Sequence, residues 1–316
     1  MSTATLLVTG AHGCIGAQVV AQALKRGMNV VAGDLPGASL HRLHYAMTPE
    51  QLGKVKLREL DVRDLVGIKA AIRQEKVTHV VHLAGLQTPA CQKDPILGIN
   101  VNVLGTANVY QAVLEAKGQI RGLSVASSVA AGNGDGGYPQ TLYGTFKKCA
   151  EGIGWNYATH FGVSSVQLEP YIVAGVGRDD GLTSGITKAL LAAAAKQPYT
   201  IGFDGPFILQ PVGMVAKMFL DSVIAPVMGF QVCNVGGRTM TVENFVHHLR
   251  GQWLDAQIDW KRGNGLPYPC NSDRTALERL IGPVDEPSLE TFMVTTFAEF
   301  QLLVEAGKVD LAQLKH

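Results

Sequence analysis

The segment Thr5-Leu-Leu-Val-Thr-Gly10-Ala-His-Gly13-Cys-Ile-Gly16-Ala-Gln-Val-Val20 decides how the rest of the chain reads. A run of β-branched and apolar residues stops at a glycine, and an apolar-periodic stretch from Ile15 to Arg26 follows, closed by Gly27. That order predicts a buried strand, a sharp turn and an amphipathic helix. Glycines belong where backbone must approach a diphosphate and where the free N–H groups of a helix start point at it. Gly10, Gly13, Cys14, Ile15 and Gly16 are therefore candidate cofactor contacts. The position after a strand and before a helix separates this trio from a chance match, the alternative being a tight turn without ligand.

Working outward, Asn29 to Ala32 reads as the second strand and leads to Asp34, eighteen positions after Gly16. A carboxylate there accepts hydrogen bonds from adenosine ribose hydroxyls and repels a 2′-phosphate, which favours NAD over NADP. Its plain alternative is a turn residue before Leu35-Pro36-Gly37. Arg42, the next arginine, reads as too far along to clamp a phosphate.

Strands are predicted at 56–60, 77–83, 123–126 and, as one piece, Ser165 to Val173. Helices at 65–74 and 99–116, and one carrying Tyr143 to Tyr157, alternate with them. Such alternation predicts an α/β chain, a Rossmann-type doubly wound parallel sheet covered on both faces. Past Gly175 helices are expected at 181–195, 212–223 and 242–253, strands at 199–203 and 231–235, and a loop at 263–271. The expected division is an NAD-binding domain over 1–175 with a return segment at about 208–235. Residues 176–207 and 236–316 would form a smaller C-terminal α/β substrate lobe built onto the sheet.

With 47% apolar residues among 316, the chain can bury a sizeable core. A net charge of +1 offers no field for nucleic acid and points to a small polar ligand. Five cysteines without CxxC spacing argue against a disulfide framework or a bound metal, and suit a reducing cytoplasm. No charged segment precedes Leu6 to Val8, and Ala189 to Ala195 is too short to cross a bilayer, so no membrane partner is expected.

Tyr143-Gly-Thr-Phe-Lys147 sets a phenol and an ammonium on one helix face. An adjacent cation favours the phenolate, so Lys147 is expected to lower the Tyr143 pKa and to hold the cofactor ribose. Ser127 and Ser128 end the fifth strand, at the edge where α/β sheets bind ligands. Ser128 lies nearer the loop and is preferred as the donor to the reacting oxygen; both serines could instead simply terminate the strand.

Together these pieces resemble the extended short-chain dehydrogenase/reductases, the NAD-dependent epimerase/dehydratase family. The resemblance adds Asp61-Val-Arg-Asp64, His82-Leu-Ala-Gly85 and Asn102-Val-Leu-Gly-Thr106. It implies that Asp61 and Val62 lie beside the adenine, that Leu83, Ala84 and Gly85 run along the cofactor, and that Pro170 to Val173, including Ile172, line the nicotinamide side. It makes Asn102 the fourth member of a set with Ser128, Tyr143 and Lys147, holding a water or a backbone bend and supporting a proton relay. It also implies a homodimer through the Tyr143 helix.

Two departures bear on substrate. Glu169-Pro-Tyr-Ile172 stands where nucleotide-sugar enzymes often carry Arg-x-x-Asn, and Gln210-Pro-Val-Gly-Met214 replaces an Arg-Asp element. Val129-Ala130 stands where dehydratases place acids. The expectation is NAD-dependent oxidation of a secondary alcohol on a sugar-like or hydroxy-acid substrate, with an epimerase or a non-catalytic NAD-binding protein as rivals. His82 reads as a core histidine, and Arg178-Asp-Asp180 more as a solvated turn than as a substrate contact.

Overall fold

The computed structural model describes residues 4–132, 134, 136–268 and 270–314. Its seven-stranded sheet is built from β1 (Thr5–Thr9), β2 (Asn29–Asp34), β3 (Lys56–Glu59), β4 (His79–His82), β5 (Gly122–Ala126), β6 (Ser165–Glu169) and β10 (Phe230–Asn234). The order is β10-β6-β5-β4-β1-β2-β3, and every pairing is parallel. All five residues of β1 are buried, because helices cover both faces of the sheet. On one face the Cys14–Lys25 and Val212–Ile224 helices pack together over Val19, Val215 and Phe219. On the other, the Leu65–Gln74 and Gly105–Glu115 helices bury Ile68, Val109 and Tyr110.

Strand order reverses between β1 and β4, whose last residues, Thr9 and His82, lie side by side. The crevice that opens beyond such a reversal is where doubly wound sheets take ligands. Beneath it His82 is fully buried, with Nδ1 2.7 Å from Thr9 Oγ1 and Nε2 3.1 Å from Thr106 Oγ1. Thr106 donates its own proton to the Asn102 carbonyl at 2.7 Å, so it accepts from His82 Nε2 and Thr9 donates to Nδ1. Burial pushes the His82 pKa down to about 3, and the residue is a neutral core strut.

The expected single strand from Ser165 to Val173 is two strands in different sheets. β6 ends at Glu169, Pro170 has no N–H to continue the ladder, and the Tyr171 N–H donates to the buried Gln210 side chain at 2.7 Å. The chain then resumes as β7 (Ile172–Ala174), which pairs with β9 (Pro206–Pro211), itself paired with β11 (Arg238–Thr241). A third, two-stranded sheet joins β8 (Tyr199–Ile201) to β12 (Ile258–Trp260). Phe203, Phe207 and Phe245 form the centre of this second region, with Phe292 and Phe300 of the Leu289–Glu305 helix against it. The stretch 208–235 thus divides: β9 belongs to the small sheet, whereas the Val212–Ile224 helix and β10 belong to the large one.

Candidate active site

The loop after β1 turns through Gly10 at φ +69°, and a Cβ there would stand 2.6 Å from the Ala84 backbone nitrogen. A side chain is therefore excluded on both conformational and packing grounds. At Gly16 a Cβ would collide with the Gly10 carbonyl, which ties the helix start to the loop. The Cys14–Lys25 helix begins at Gly13 with no side chain capping it, so its first N–H groups face the cavity rather than a protein partner. Asp34 closes β2; its oxygens accept from the His12 N–H at 2.7 Å and the Leu35 N–H at 2.8 Å and keep further lone pairs.

Two cavities meet over this loop. One, of ≈ 520 Å³, holds Asp34, Asp61, Val62 and Ala84 in its wall. The other, of ≈ 200 Å³, is walled by Cys14, Ile15, Ser128, Tyr143, Lys147, Pro170 and Val173. They share Gly10, Gly13, Leu83, Gly85 and Leu86. Ile172 is fully buried and lines only a smaller chamber further on. Arg42, expected to be too far along to clamp a phosphate, stands at the larger cavity on the short His41–Ala46 helix. Its guanidinium is already committed, to the His12 carbonyl at 3.2 Å, the Gly177 carbonyl at 2.9 Å and the Asp179 carboxylate.

Asn102 sits in a π-helical segment, Asn100–Leu104, in an otherwise α-helical stretch. Its Oδ1 accepts from the Leu86 N–H at 2.8 Å, while Nδ2 donates to the Leu86 carbonyl at 3.0 Å and to Cys91 Sγ at 3.2 Å. Both amide protons are engaged, so the side chain holds the backbone bend after β4 and has no N–H left for the relay expected of it. A Cβ at Gly85 would stand 2.9 Å from that Oδ1 and 3.5 Å from Lys147 Nζ.

Tyr143 and Lys147 lie on the Leu142–Phe161 helix, with Nζ 5.8 Å from the phenol ring centre. Thr141 caps the helix by accepting from the Gly144 N–H at 3.0 Å. Lys147 is buried and donates to the Ala126 carbonyl at the end of β5, at 2.7 Å. Burial pulls its pKa down to about 8, against the opposing influence of Cys91 and Glu151. Lys147, expected to lower the phenol pKa, is not among the main influences on that group. Desolvation pushes Tyr143 up to about 12, and the groups that pull it down are the Ser128 hydroxyl and the Arg178 charge.

Ser127 donates to Glu151 at 2.5 Å, and Glu151 also pairs with Lys148 at 3.0 Å. Ser128 caps the short Val129–Ala131 turn and faces the phenol. Two roles of the serine pair are thus separable. Ser128→Ala is expected to lower turnover by roughly 10²-fold and, through loss of the Ala130 cap, to cost about 1 kcal/mol of stability. Ser127→Ala should lower the melting temperature, because it strands a buried carboxylate oxygen, but leave turnover within about threefold. Steady-state rates and melting curves of both variants check this.

Arg178, expected as part of a solvated turn, lines both the ≈ 200 Å³ cavity and the smaller chamber beside it. Its neighbour Asp179 is what turns it inward, by pairing with Arg42 and, at 2.8 Å, with His41 Nε2. Tyr171 and Tyr268 also face that chamber. Tyr171 falls within the Pro170 to Val173 stretch expected on the nicotinamide side, whereas Tyr268, in a Gly- and Pro-rich loop, carried no sequence signal.

A sequence model of the NAD dependent epimerase/dehydratase family matches residues 6–206. The chain belongs to that family. UDP-glucose 4-epimerase 4 of Oryza sativa subsp. japonica is 36% identical over 107 residues, 32% of this chain and 29% of that protein. UDP-glucuronate 4-epimerase 3 of Arabidopsis thaliana is 28% identical over 295 residues, 88% of this chain and 64% of that protein. The chain spans between 29% and 64% of the curated relatives it matches. Among solved structures, UDP-glucose 4-epimerase of Thermotoga maritima superposes with TM-score 0.81 at 19% identity, covering 95% of this chain and 99% of that one. A monomeric L-threonine 3-dehydrogenase from a metagenome superposes with TM-score 0.80 at 18% identity, covering 94% and 99%. These two likenesses, to an epimerase and a dehydrogenase, show the shared fold.

NAD is the cofactor of this epimerase/dehydratase family, and the site fits it. The glycine loop leaves room for a diphosphate that a Cβ would fill, the adjoining helix start has unused N–H groups, and Asp34 keeps acceptor capacity at the larger cavity. Among the described residues no helix is long and apolar enough to cross a membrane, and no three His, Cys, Asp or Glu side chains cluster as metal ligands.

Proposed function

We propose that the protein is an NAD-dependent oxidoreductase that interconverts a secondary alcohol and its ketone on a small polar substrate. The observation that carries this is the convergence of Ser128, Tyr143 and Lys147 on the wall of the cavity that adjoins the glycine loop. When bound, oxidised NAD supplies the acceptor for a hydride leaving the carbinol carbon with its bonding pair, and a ring charge that favours a nearby phenolate. Tyr143 as phenolate takes the hydroxyl proton while the carbon–oxygen double bond forms. Ser128 donates to the substrate oxygen and holds it at the phenol. Lys147 would orient the cofactor ribose, and Asn102 acts through the Leu86 bend.

The raised Tyr143 pKa has a direction of its own. Near neutrality the phenol carries its proton, which suits donation to a ketone; removal of an alcohol proton improves as pH rises. The helix bearing Tyr143 exposes Trp155 and Phe161, more than half accessible, which supports the further proposal of a homodimer through this helix.

The curated relatives favour a second reading, an epimerase in which the hydride is returned to the other face of the same carbon. A third is a protein that binds NAD without turnover. The test is purified protein with NAD or NADP and a panel of polyols, aldoses, hydroxy acids and nucleotide sugars, followed by absorbance of the reduced nicotinamide. Net reduction with NAD in preference to NADP is expected. Inversion of a nucleotide sugar without net reduction would establish the epimerase instead, and binding with no reaction on any member would establish the non-catalytic protein.

A further inference from the structure

Beyond the catalytic wall lies a chamber of ≈ 70 Å³ that shares Gln87, Ser128, Tyr143, Tyr171 and Arg178 with the cavity before it. A water needs roughly 10–15 Å³, so the chamber has room for a small polar molecule. Arg178 is the single charged side chain among its described lining residues. Its Nη2 donates to Thr183 Oγ1 at 3.2 Å, and its Nε is buried with no partner. The carboxylates next to it in sequence are spent elsewhere: Asp179 on Arg42 and His41, Asp180 on the Gly181 N–H at 2.6 Å. The guanidinium thus stands at the cavity wall with donor capacity that no described protein group takes up.

We propose that Arg178 takes the carboxylate of a short-chain hydroxy acid whose carbinol lies between Tyr143 and Ser128. This rests on the dehydrogenase reading above and narrows its substrate class. The planar fork of arginine matches a carboxylate in two parallel hydrogen bonds, where a neutral polyol would leave the charge unmet. Thr183 orients one edge of the fork, and the Asp179 pairs to the His41–Ala46 helix hold the turn that carries it. Ile172, Tyr171 and Tyr268 supply an apolar and aromatic wall for the carbon chain. The chamber is too small for a nucleotide, so a nucleotide sugar would have to leave it and engage Arg178 from the larger side.

Arg178 also stands near Cys14 on the glycine loop, so the cofactor diphosphate is the competing anion. The experiment uses NADH-loaded protein and malonate, a non-reactive short dicarboxylate, with titration calorimetry as readout. Malonate is expected to bind the parent, roughly 30-fold more weakly to Arg178→Gln, and with intermediate affinity to Arg178→Lys, which keeps the charge and loses the fork. NADH affinity should stay within about twofold in both variants, and melting curves should match the parent. No malonate binding to the parent, equal binding to all three, or a parallel loss of NADH affinity overturns the proposal. The two readings fail separately. Arg178-dependent malonate binding without turnover of any alcohol would leave this site standing and remove the dehydrogenase. Turnover of neutral diols indifferent to Arg178→Gln, with no malonate binding, would do the reverse.

Discussion

Tyr143→Phe is expected to lower turnover by roughly 10³-fold in both directions while NAD affinity changes by less than about threefold. The phenol oxygen faces Ser128 and the cavity and supports nothing in the core, so its removal should leave the helix and the cofactor loop in place. The pH profile carries a sharper statement. The Tyr143 pKa is raised from the ordinary 10 to about 12, so the phenol is protonated throughout the neutral range. Ketone reduction, which consumes that proton, should be nearly flat from about pH 6 to 8. Alcohol oxidation needs the phenolate and should rise close to tenfold per pH unit until the charge of bound oxidised cofactor brings the group into range. The measurement is kcat/KM in both directions against pH, parent beside variant. A Tyr143→Phe protein with undiminished rates, or one that has lost NAD as well, would remove the phenol from the chemistry.

The central sheet was legible because most of its strands are short apolar runs alternating with periodic helices; β3, Lys56-Leu-Arg-Glu59 at the sheet edge, is the largely exposed exception. From β1 to β5 every predicted strand overlaps one in the sheet, and the Leu65–Gln74 helix has the bounds expected. The glycine trio and Asp34 were legible for another reason: few residue types can turn a chain against a neighbouring bend, as the Ala84 contact at Gly10 shows. The lobe was harder to read. β11 is Arg238-Thr-Met-Thr241, partly exposed and without alternation, and it forms only because β9 offers an edge. The Leu289–Glu305 helix did carry a signal, a Ser288 cap followed by Phe292, Met293, Thr296 and Phe300 at helical spacing.

At the site, residue types were legible and their electrostatics were not. Lys147 was expected to depress the phenol pKa because helix spacing brings the pair together. Spacing says nothing of how deeply each group is buried, and desolvation is the largest influence on both, raising the phenol and lowering the ammonium. Arg178 was misjudged for a related reason. A run of three charged residues reads as a solvated turn unless one knows that Arg42 and His41, far earlier in the chain, draw Asp179 to themselves and leave Arg178 facing inward.

Lys147→Met should separate catalysis from stability. Turnover is expected to fall by roughly 10²–10³-fold and NAD affinity by about tenfold, since the ammonium would hold the ribose. Stability should move the other way. In the folded protein burial lowers the lysine pKa from 10.5 to about 8, so below pH 8 the fold carries a charge it would rather not bury. The gap corresponds to about 3 kcal/mol, an upper figure that the Ala126 hydrogen bond is already part of. Between pH 8 and 10.5 the unfolded chain binds a proton that the folded one does not, so parent stability gains from this group as pH rises through that window. A methionine of similar length removes the desolvation and strands the Ala126 carbonyl, at about 1 kcal/mol. The variant should therefore unfold at a higher temperature than the parent at pH 7 and lose that advantage by pH 10.5. Melting temperatures of both proteins across pH 6 to 10.5 decide it: a variant less stable at pH 7, with an unchanged pH slope, would mean that the protein stabilises the ammonium where it sits.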